Sequence, residues 1–172
     1  MSARVAIGQL GQSGVAVSQD LLQIGRAPPI IVKCALHRVG DIEGLRWLRA
    51  QKLGAPIFAD ENIINSHDVA AHAGAVDGVI IKLMKTTGIR EALRAIHTAR
   101  ALDMQIMLGC MVESSLGVTA AAHLAALCDY ADLDGPLLIK NDPFEGLSYQ
   151  GARLVLPDRP GLGARPKIIE NQ

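Results

Sequence analysis

A unit made of an apolar strand, a charged strand end and a helix recurs along the chain about every 25 residues. In the clearest copy, the β-branched run Val79-Ile80-Ile81 ends in Lys82, and Thr86-Thr87-Gly88 then breaks the strand. Apolar residues recur at helical spacing from Ile89 onward. Strands that alternate with helices indicate βα units in a parallel sheet or barrel. We therefore expect an α/β fold, a partial TIM-type (β/α) barrel.

Further units can be placed on both sides of this copy. Strands are expected at residues 30–36, 56–61, 105–111 and 130–136. Helices are expected at residues 43–52, 66–72, 89–102 and 116–128, with Asp41 and Ser66 as N-caps of the first two. Leu45 and Leu48, with Trp47 as a further candidate, are expected to turn inward. In front of these units we expect a short strand at Arg4–Gly8 and a helix-like run near Ser18–Ile24.

The length limits the barrel that the chain can form. An eight-stranded barrel takes about 250 residues, whereas this chain has 172. We expect a single domain over residues 1–172 that contains about strands 3 to 8, with residues 1–27 the least determined by their pattern. Residues 147–172 are expected to form a hairpin and an extended tail outside the barrel.

Composition excludes several classes of function. Seventeen basic residues balance seventeen acidic ones, and no basic stripe with interleaved aromatic residues indicates a nucleic-acid partner. No apolar run has the length of a membrane span and the N-terminus lacks a signal-peptide pattern, so a cytoplasmic location is expected. Cys34, Cys110 and Cys128 lack CxxC spacing, which argues against a disulfide framework or a zinc site.

Charged residues stand at the ends of successive predicted strands: Lys33, Asp60 with Glu61, Lys82, Glu113, and Asp132 with Asp134. Parallel strands of a barrel bring these ends to one rim. Carboxylates around lysines could hold a divalent cation there, or a polar substrate with an ammonium group. Lys85 could face the site, but we interpret it as solvated. We interpret Met107 and Met111 as core, and His67, His72, His97 and His123 as packing or surface residues.

Four segments, in order, resemble the later barrel strands of the enolase superfamily. They are Pro56-Ile57-Phe58-Ala59-Asp60-Glu61, Ile81-Lys82-Leu83-Met84-Lys85, Gly109-Cys110-Met111-Val112-Glu113-Ser114 and Asp132-Leu133-Asp134-Gly135-Pro136. Within that superfamily they are most similar to the muconate-lactonizing subgroup, and in it to dipeptide epimerases of the Ala-Glu type. The resemblance covers residues 28 to 163.

The resemblance implies a Mg²⁺-assisted removal of the proton α to a carboxylate, giving an enolate that the metal stabilises. By position, Lys82 matches the general base on the sixth barrel strand, whose pKa a nearby Mg²⁺ would lower. Asp60 matches the third metal ligand, and Glu61 matches the acidic residue beside it.

The resemblance also implies a binding site for the substrate. Asp132 and Asp134 match the pair that receives the α-ammonium of a dipeptide. Cys110 matches a substrate contact, and Glu113 matches a carboxylate that supports the substrate-contacting residues without contacting the substrate itself. The implied partner is a small molecule, either a dipeptide or an amino-acid derivative.

The chain departs from the family at the other two ligand positions. Ala6 stands in place of the first ligand and Lys33 in place of the second. The family's N-terminal capping domain, and the lysine pair that acts from the opposite face of the substrate, have no counterpart. We therefore expect Mg²⁺ binding to be weak or lost. We hypothesise that the Lys33 ammonium takes the place of the metal and pairs with Asp60.

Three functional interpretations remain open. The first is a dipeptide epimerase-like enzyme that is truncated and catalytically impaired, because epimerisation needs a proton acceptor on one face and a donor on the other. The second is a non-catalytic barrel fragment that requires a partner, because an open sheet exposes strand edges and the apolar barrel interior. A second copy or a complementing N-terminal chain would close it. The third is an N-acylamino acid racemase or cycloisomerase, although two aspartates favour an amino-bearing substrate over muconate.

Overall fold

The computed structural model describes residues 15–18, 22–23, 31–34, 41–151 and 153–168, with the backbone alone for the three segments before residue 41. Within these residues the main sheet contains seven strands. They are β1 (Val15–Ser18), β2 (Leu22–Gln23), β3 (Ile31–Cys34), β4 (Ile57–Ala59), β5 (Gly78–Lys82), β6 (Gln105–Gly109) and β7 (Tyr130–Asp132).

The strands from β3 to β7 lie side by side in chain order, and each pairs in parallel with the next. A helix connects each successive pair: α1 (Ile42–Ala50), α2 (Ser66–Ala71), α3 (Ile89–Ala101) and α4 (Ser115–Ala122). Parallel strands require such crossovers, because a short turn cannot return the chain to the same end of the sheet. The predicted βα units are confirmed.

Apolar side chains cover both faces of the parallel strands. Val79 and Ile81 of β5 belong to the large core that the helices also enter through residues such as Leu45 and Ile96. Because side chains alternate along a strand, Ile80 points to the other face. There it packs in a second buried cluster with three residues of the neighbouring strands: Phe58, Met107 and Tyr130. The rings of Phe58 and Tyr130 meet edge to face, with centroids 5.9 Å apart.

Both edges of the parallel array are paired with the same short stretch of chain. Strand β1 runs antiparallel to β3, and β2 runs antiparallel to β7. The helix expected near Ser18–Ile24 is therefore wrong, since Ser18 and Leu22–Gln23 are in strands. Unpaired edges leave backbone N–H and C=O groups without partners, and this pairing outweighs the local helical pattern. The strand expected at Arg4–Gly8 lies outside the described residues.

The expected exposure of the barrel interior is also wrong for the residues described. Phe58 and Met107 are fully buried, and Ile80 is 1% exposed. Residues on this face of the sheet therefore have packing partners within the chain itself.

The helix ends show which local predictions hold. Asp41 is the N-cap of α1, where its Oδ1 accepts from the Gly44 N–H at 2.9 Å, as predicted. Trp47 is 66% exposed, so its inward placement is wrong. The cap of α2 is Asn65 rather than Ser66, because Asn65 and Asp68 form a reciprocal capping box.

The chain after β7 adds two small antiparallel pairs. Strands β9 (Ser148–Gln150) and β10 (Arg153–Val155) pair with each other, and β8 (Phe144–Glu145) pairs with β11 (Arg165–Pro166). None of the helices in the described part of the chain has the length and apolarity to cross a membrane.

Candidate active site

The carboxyl ends of three neighbouring strands align in one row. Lys82 at the end of β5 is the register partner of Gly109, which in turn is the register partner of Asp132 at the end of β7. A Cβ atom at Gly109 would lie 3.3 Å from Cγ of Lys82. The same Cβ would lie 2.9 Å from Cγ2 of Ile80, so the lack of a side chain at Gly109 is what lets Lys82 pack this close to β6.

The ammonium group of Lys82 is held by two carboxylates that follow β4. Its Nζ lies 2.7 Å from Oδ1 of Asp60 and 3.2 Å from Oε1 of Glu61. The side chains of Lys82 and Asp60 are 11% and 12% exposed. Asp60 Oδ1 has no described partner at hydrogen-bond angles, so its short contact with Lys82 is an ion pair.

These contacts determine the charge of the lysine. Burial by itself lowers the pKa of Lys82, but the Asp60 and Glu61 carboxylates outweigh it, and the pKa is raised above 10.5. Burial raises the pKa of Glu61, but the ammonium groups of Lys82 and Lys85 outweigh it and the pKa is lowered. Lys82 is therefore a protonated ammonium in this arrangement. The lowering of its pKa by a nearby Mg²⁺ stays a prediction.

Lys85 belongs to the same cluster of charges. Its Nζ donates to the backbone carbonyls of Asp60 and Glu61 at 3.1 Å and 2.6 Å, and to Oε2 of Glu61 at 3.2 Å. Its side chain is 15% exposed. The interpretation of Lys85 as a solvated lysine is therefore wrong.

The second acidic residue after β7 contacts the strand end of β6. Sγ of Cys110 lies 3.8 Å from Oδ1 of Asp134, and the Gly135 N–H donates to the same sulfur at 3.3 Å. Burial raises the pKa of Cys110 to about 12, so its thiol stays protonated and can donate to the carboxylate. Asp132 and Asp134 are both half-buried. The structure thus brings Cys110 and Asp134 together; their role in a substrate site stays a prediction.

Glu113 shapes the loop between β6 and α4. Its Oε1 accepts from the Met111 N–H at 3.1 Å, and its carboxylate lies against Gly117. Met111 is 39% exposed, so its expected place in the core is wrong, whereas Met107 is buried as expected.

With this geometry in place, the chain can be compared with known proteins. The family model "Enolase C-terminal domain-like" matches residues 36–169. The chain belongs to this family. The resemblance of its later strands to the enolase superfamily and to Ala-Glu-type dipeptide epimerases is confirmed, and the predicted partial TIM-type barrel agrees with it.

Relatives and solved structures agree with this assignment. The chain is 44% identical over 123 residues to an L-Ala-D/L-Glu epimerase of Bacteroides thetaiotaomicron, covering 72% of this chain and 32% of that protein. A substrate-liganded structure of the L-Ala-D/L-Glu epimerase from Bacillus subtilis is 35% identical, with a TM-score of 0.71, over 78% of this chain and 38% of that one. A dipeptide epimerase from Cytophaga hutchinsonii, complexed with Mg and D-Ala-L-Val, is 36% identical over 74% of this chain and 36% of that one, with a TM-score of 0.68. The chain thus spans about a third of the length of these relatives.

The metal ion that this family implies can be tested against the side chains present. Among residues 41–151 and 153–168, no group of three or more His, Cys, Asp or Glu side chains is placed to hold a metal ion. Asp60 is paired with Lys82, and the two carboxylate oxygens of Glu61 face Lys82 and Lys85. Mg²⁺ requires several oxygen ligands in near-octahedral geometry. The described side chains therefore do not fit Mg²⁺.

The other two predicted ligand positions lie outside the described side chains. Ala6 is outside the described residues. Lys33 is described by its backbone in β3, where it is the register partner of Phe58 on β4. Its pairing with Asp60 stays a prediction; the cation that the structure shows at Asp60 is Lys82.

Two residues make contacts that the sequence pattern did not predict. Lys85 follows Lys82 by three residues, and that spacing across a tight turn was the available signal. Asp142 caps α4: its Oδ2 accepts from the N–H of Ser115 at 2.8 Å and from its hydroxyl at 2.5 Å. Nothing local to Asp142 identifies this role, because Ser115 lies 27 residues away.

Two cavities lie away from this row of strand ends. One, of about 510 Å³, lies where β4 and β5 begin and is lined by Arg49, Pro56 and Asp77. The other, of about 360 Å³, lies beside Glu145 and Arg165. The chemistry of the strand ends therefore belongs to the carboxyl rim, and neither cavity is part of it.

Proposed function

We propose that this chain carries one half of a dipeptide-epimerase-type site. Lys82 exchanges the proton on the carbon α to the substrate carboxylate, and Asp132 with Asp134 binds the α-ammonium group. The observation that carries the proposal is the row at the carboxyl rim, in which Lys82 and Asp132 flank Gly109. Membership of the enolase family and the dipeptide epimerases among the relatives support the same chemistry.

The charge state of Lys82 determines whether it acts as an acid or as a base. An ammonium with a raised pKa is a proton donor and a fixed positive charge beside a developing enolate. As a base it must first lose a proton that Asp60 and Glu61 stabilise. We therefore propose that proton removal is slow and that the site is catalytically impaired.

Inversion requires a second acid–base group on the opposite face of the α-carbon. In the described part of the chain, Lys82 is the lysine that faces Asp132 across Gly109. We propose that a bound dipeptide exchanges its α-proton with solvent from one face and is not inverted.

The test is deuterium incorporation. L-Ala-L-Glu is incubated with the chain in D₂O, and the signal of the glutamate α-proton is followed by ¹H NMR while chiral chromatography measures inversion. We expect slow loss of the signal with little inversion, no loss with Lys82→Met, and wild-type exchange with the control Lys140→Met at an exposed position. Full epimerisation by the wild-type chain, or equal exchange in Lys82→Met, would refute the proposal.

Metal binding is tested separately. Mg is part of the Cytophaga hutchinsonii complex, and we propose that this chain binds Mg²⁺ weakly or not at all. Calorimetric titration of the chain with MgCl₂ should show no tight site. A tight one-to-one isotherm that disappears in Asp60→Asn would contradict this proposal.

A partner-requiring, non-catalytic fragment is a second candidate. The paired sheet edges remove one argument for it, but apolar side chains remain exposed in the loops at the carboxyl rim: Met84, Val112, Leu137 and Leu138. A cluster of exposed apolar side chains is typical of a surface that binds another protein chain. Size-exclusion chromatography with light scattering separates the candidates, since a stable monomer argues against a required second copy. N-acylamino acid racemisation or cycloisomerisation remains a third, and exchange assays with those substrates in parallel would identify it.

A further inference from the structure

Lys85 uses its whole hydrogen-bonding capacity on the end of β4. An ammonium group has three N–H donors. The structure provides three acceptors within 3.2 Å: the carbonyl oxygens of Asp60 and Glu61, and Oε2 of Glu61. With its side chain 15% exposed, the group is largely withdrawn from water. Lys85 therefore joins the turn after β5 to the residues that follow β4.

The turn after β5 brings Lys85 to the same side as Lys82. The backbone N–H groups of Lys85 and Thr86 both donate to the carbonyl oxygen of Lys82 at 3.0 Å. These contacts wind the chain as in one turn of a helix, where residues three apart lie on one face. Thr86 is fully buried, and its hydroxyl lies 3.3 Å from the same carbonyl oxygen.

Glu61 links the two lysines. Its Oε1 lies 3.2 Å from Nζ of Lys82, and its Oε2 lies 3.2 Å from Nζ of Lys85. The other partner of Lys82 is Asp60, whose backbone carbonyl accepts from Lys85. Lys85 thus contacts both residues that hold the ammonium group of Lys82.

We propose that Lys85 is a positioning residue that fixes the ammonium group of Lys82 through Glu61 and Asp60. Without Lys85, the Glu61 carboxylate and the backbone after β4 lose their common anchor, and the Lys82 ammonium keeps its Asp60 contact but loses the support that fixes its position beside Gly109. This inference rests on the proposed role of Lys82. The contrasting possibility is that Lys85 stabilises the turn alone and leaves Lys82 unaffected.

A spectroscopic measurement separates these possibilities without relying on activity. In protein labelled with ¹⁵N-lysine, ammonium protons held in a buried ion pair exchange slowly with water and give resolved signals. The Lys82 signal is assigned by its loss in Lys82→Arg, which keeps a cation beside Asp60. We expect Lys85→Met to broaden or remove it, and the exposed control Lys140→Met to leave it unchanged.

The exchange assay gives the functional counterpart. We expect Lys85→Met to reduce deuterium incorporation into L-Ala-L-Glu by about 10- to 100-fold, as is typical when the support of an active group is removed. Lys85→Arg keeps the charge, but a planar guanidinium cannot reproduce the three contacts. Compared with Lys85→Met, we expect Lys85→Arg to recover most of the wild-type melting temperature but only part of the intensity of the Lys82 ammonium signal.

Each outcome decides the inference. A folded Lys85→Met variant with an unchanged Lys82 signal overturns it. If Lys85→Met does not fold, Lys85→Arg and Lys85→Gln decide it by the same signal, because each keeps a hydrogen-bond donor at this position without reproducing the three contacts of the ammonium group. Absence of deuterium exchange in the wild-type chain would refute the proposed function, whereas the ¹⁵N measurement would still test the role of Lys85.

Discussion

Removal of the Lys82 ammonium should strongly destabilise the fold. Lys82→Met keeps the length of the side chain but leaves the 12%-exposed Asp60 carboxylate without the cation that lies 2.7 Å from it. At an effective dielectric constant of about 20, the attraction between unit charges at this separation is about 6 kcal/mol before desolvation is counted. Deleting one partner of a buried pair has a net effect of about 3–5 kcal/mol. We therefore expect Lys82→Met to lower the free energy of unfolding by about 3–5 kcal/mol.

Urea unfolding measures this loss directly. With a slope of about 2 kcal/mol per molar urea, the midpoint should fall by about 1.5–2.5 M. The exposed control Lys140→Met should stay within about 0.5 kcal/mol of wild type. The double variant Lys82→Met/Asp60→Asn should lose less than the sum of the two single variants, because it leaves no unpaired aspartate.

The result that refutes this reasoning is equally direct. If Lys82→Met unfolds at the same or a higher urea concentration than the wild-type chain, the ion pair does not stabilise the rim. Lys82 would then be a residue whose placement reduces stability, as functional groups often do.

Further changes test other parts of the site. Burial raises the pKa of Glu61, but the ammonium groups of Lys82 and Lys85 outweigh it and hold the pKa below 4.5. The stability that this carboxylate contributes is therefore present above pH 4.5 and is lost as the pH falls through the lowered value. Glu61→Gln should remove that part of the acid dependence of the urea midpoint. The pKa of Lys82 is raised above 10.5, so its contribution to the free energy of unfolding is complete below pH 10.5 and is lost as the pH rises through the raised value. The urea midpoints of the wild-type chain and Lys82→Met should therefore converge at alkaline pH. Asp142→Ala should reduce the free energy of unfolding by about 1 kcal/mol, measured by urea denaturation, because α4 loses its cap. Gly109→Ala should lower the free energy of unfolding by about 1–3 kcal/mol, because the new methyl group would lie 2.9 Å from Cγ2 of Ile80, and it should slow deuterium exchange because the same group would lie 3.3 Å from Cγ of Lys82.

Local sequence signals predicted β5 and its neighbours correctly. The apolar run before Lys82 and the helical spacing after Gly88 correspond to β5 and α3. Both signals are short-range, since they depend on side chains a few residues apart that must face the same core. Asp41 was found for the same reason, because an N-cap contacts a backbone group only three residues away.

Long-range contacts decided what the sequence missed. Leu22–Gln23 has a helical pattern but pairs as a strand with β7, more than 100 residues away, because that edge needs a partner. Lysine is usually found at the surface, and nothing near Lys85 in the sequence indicates otherwise. The carbonyl oxygens to which it donates lie 24 and 25 residues earlier, at the end of β4. No local pattern contains either partner.

The sequence by itself determined the order of strands and helices from β3 to β7, the family, and the placement of Lys82 and Asp132 at the ends of their strands. Tertiary structure alone decided their charge states and partners. Hydrophobic periodicity is repeated within each unit and can be detected in a short window. The raised pKa of Lys82 depends instead on its short distances to Asp60 and Glu61, which follow the neighbouring strand, and those distances exist only after the chain has folded.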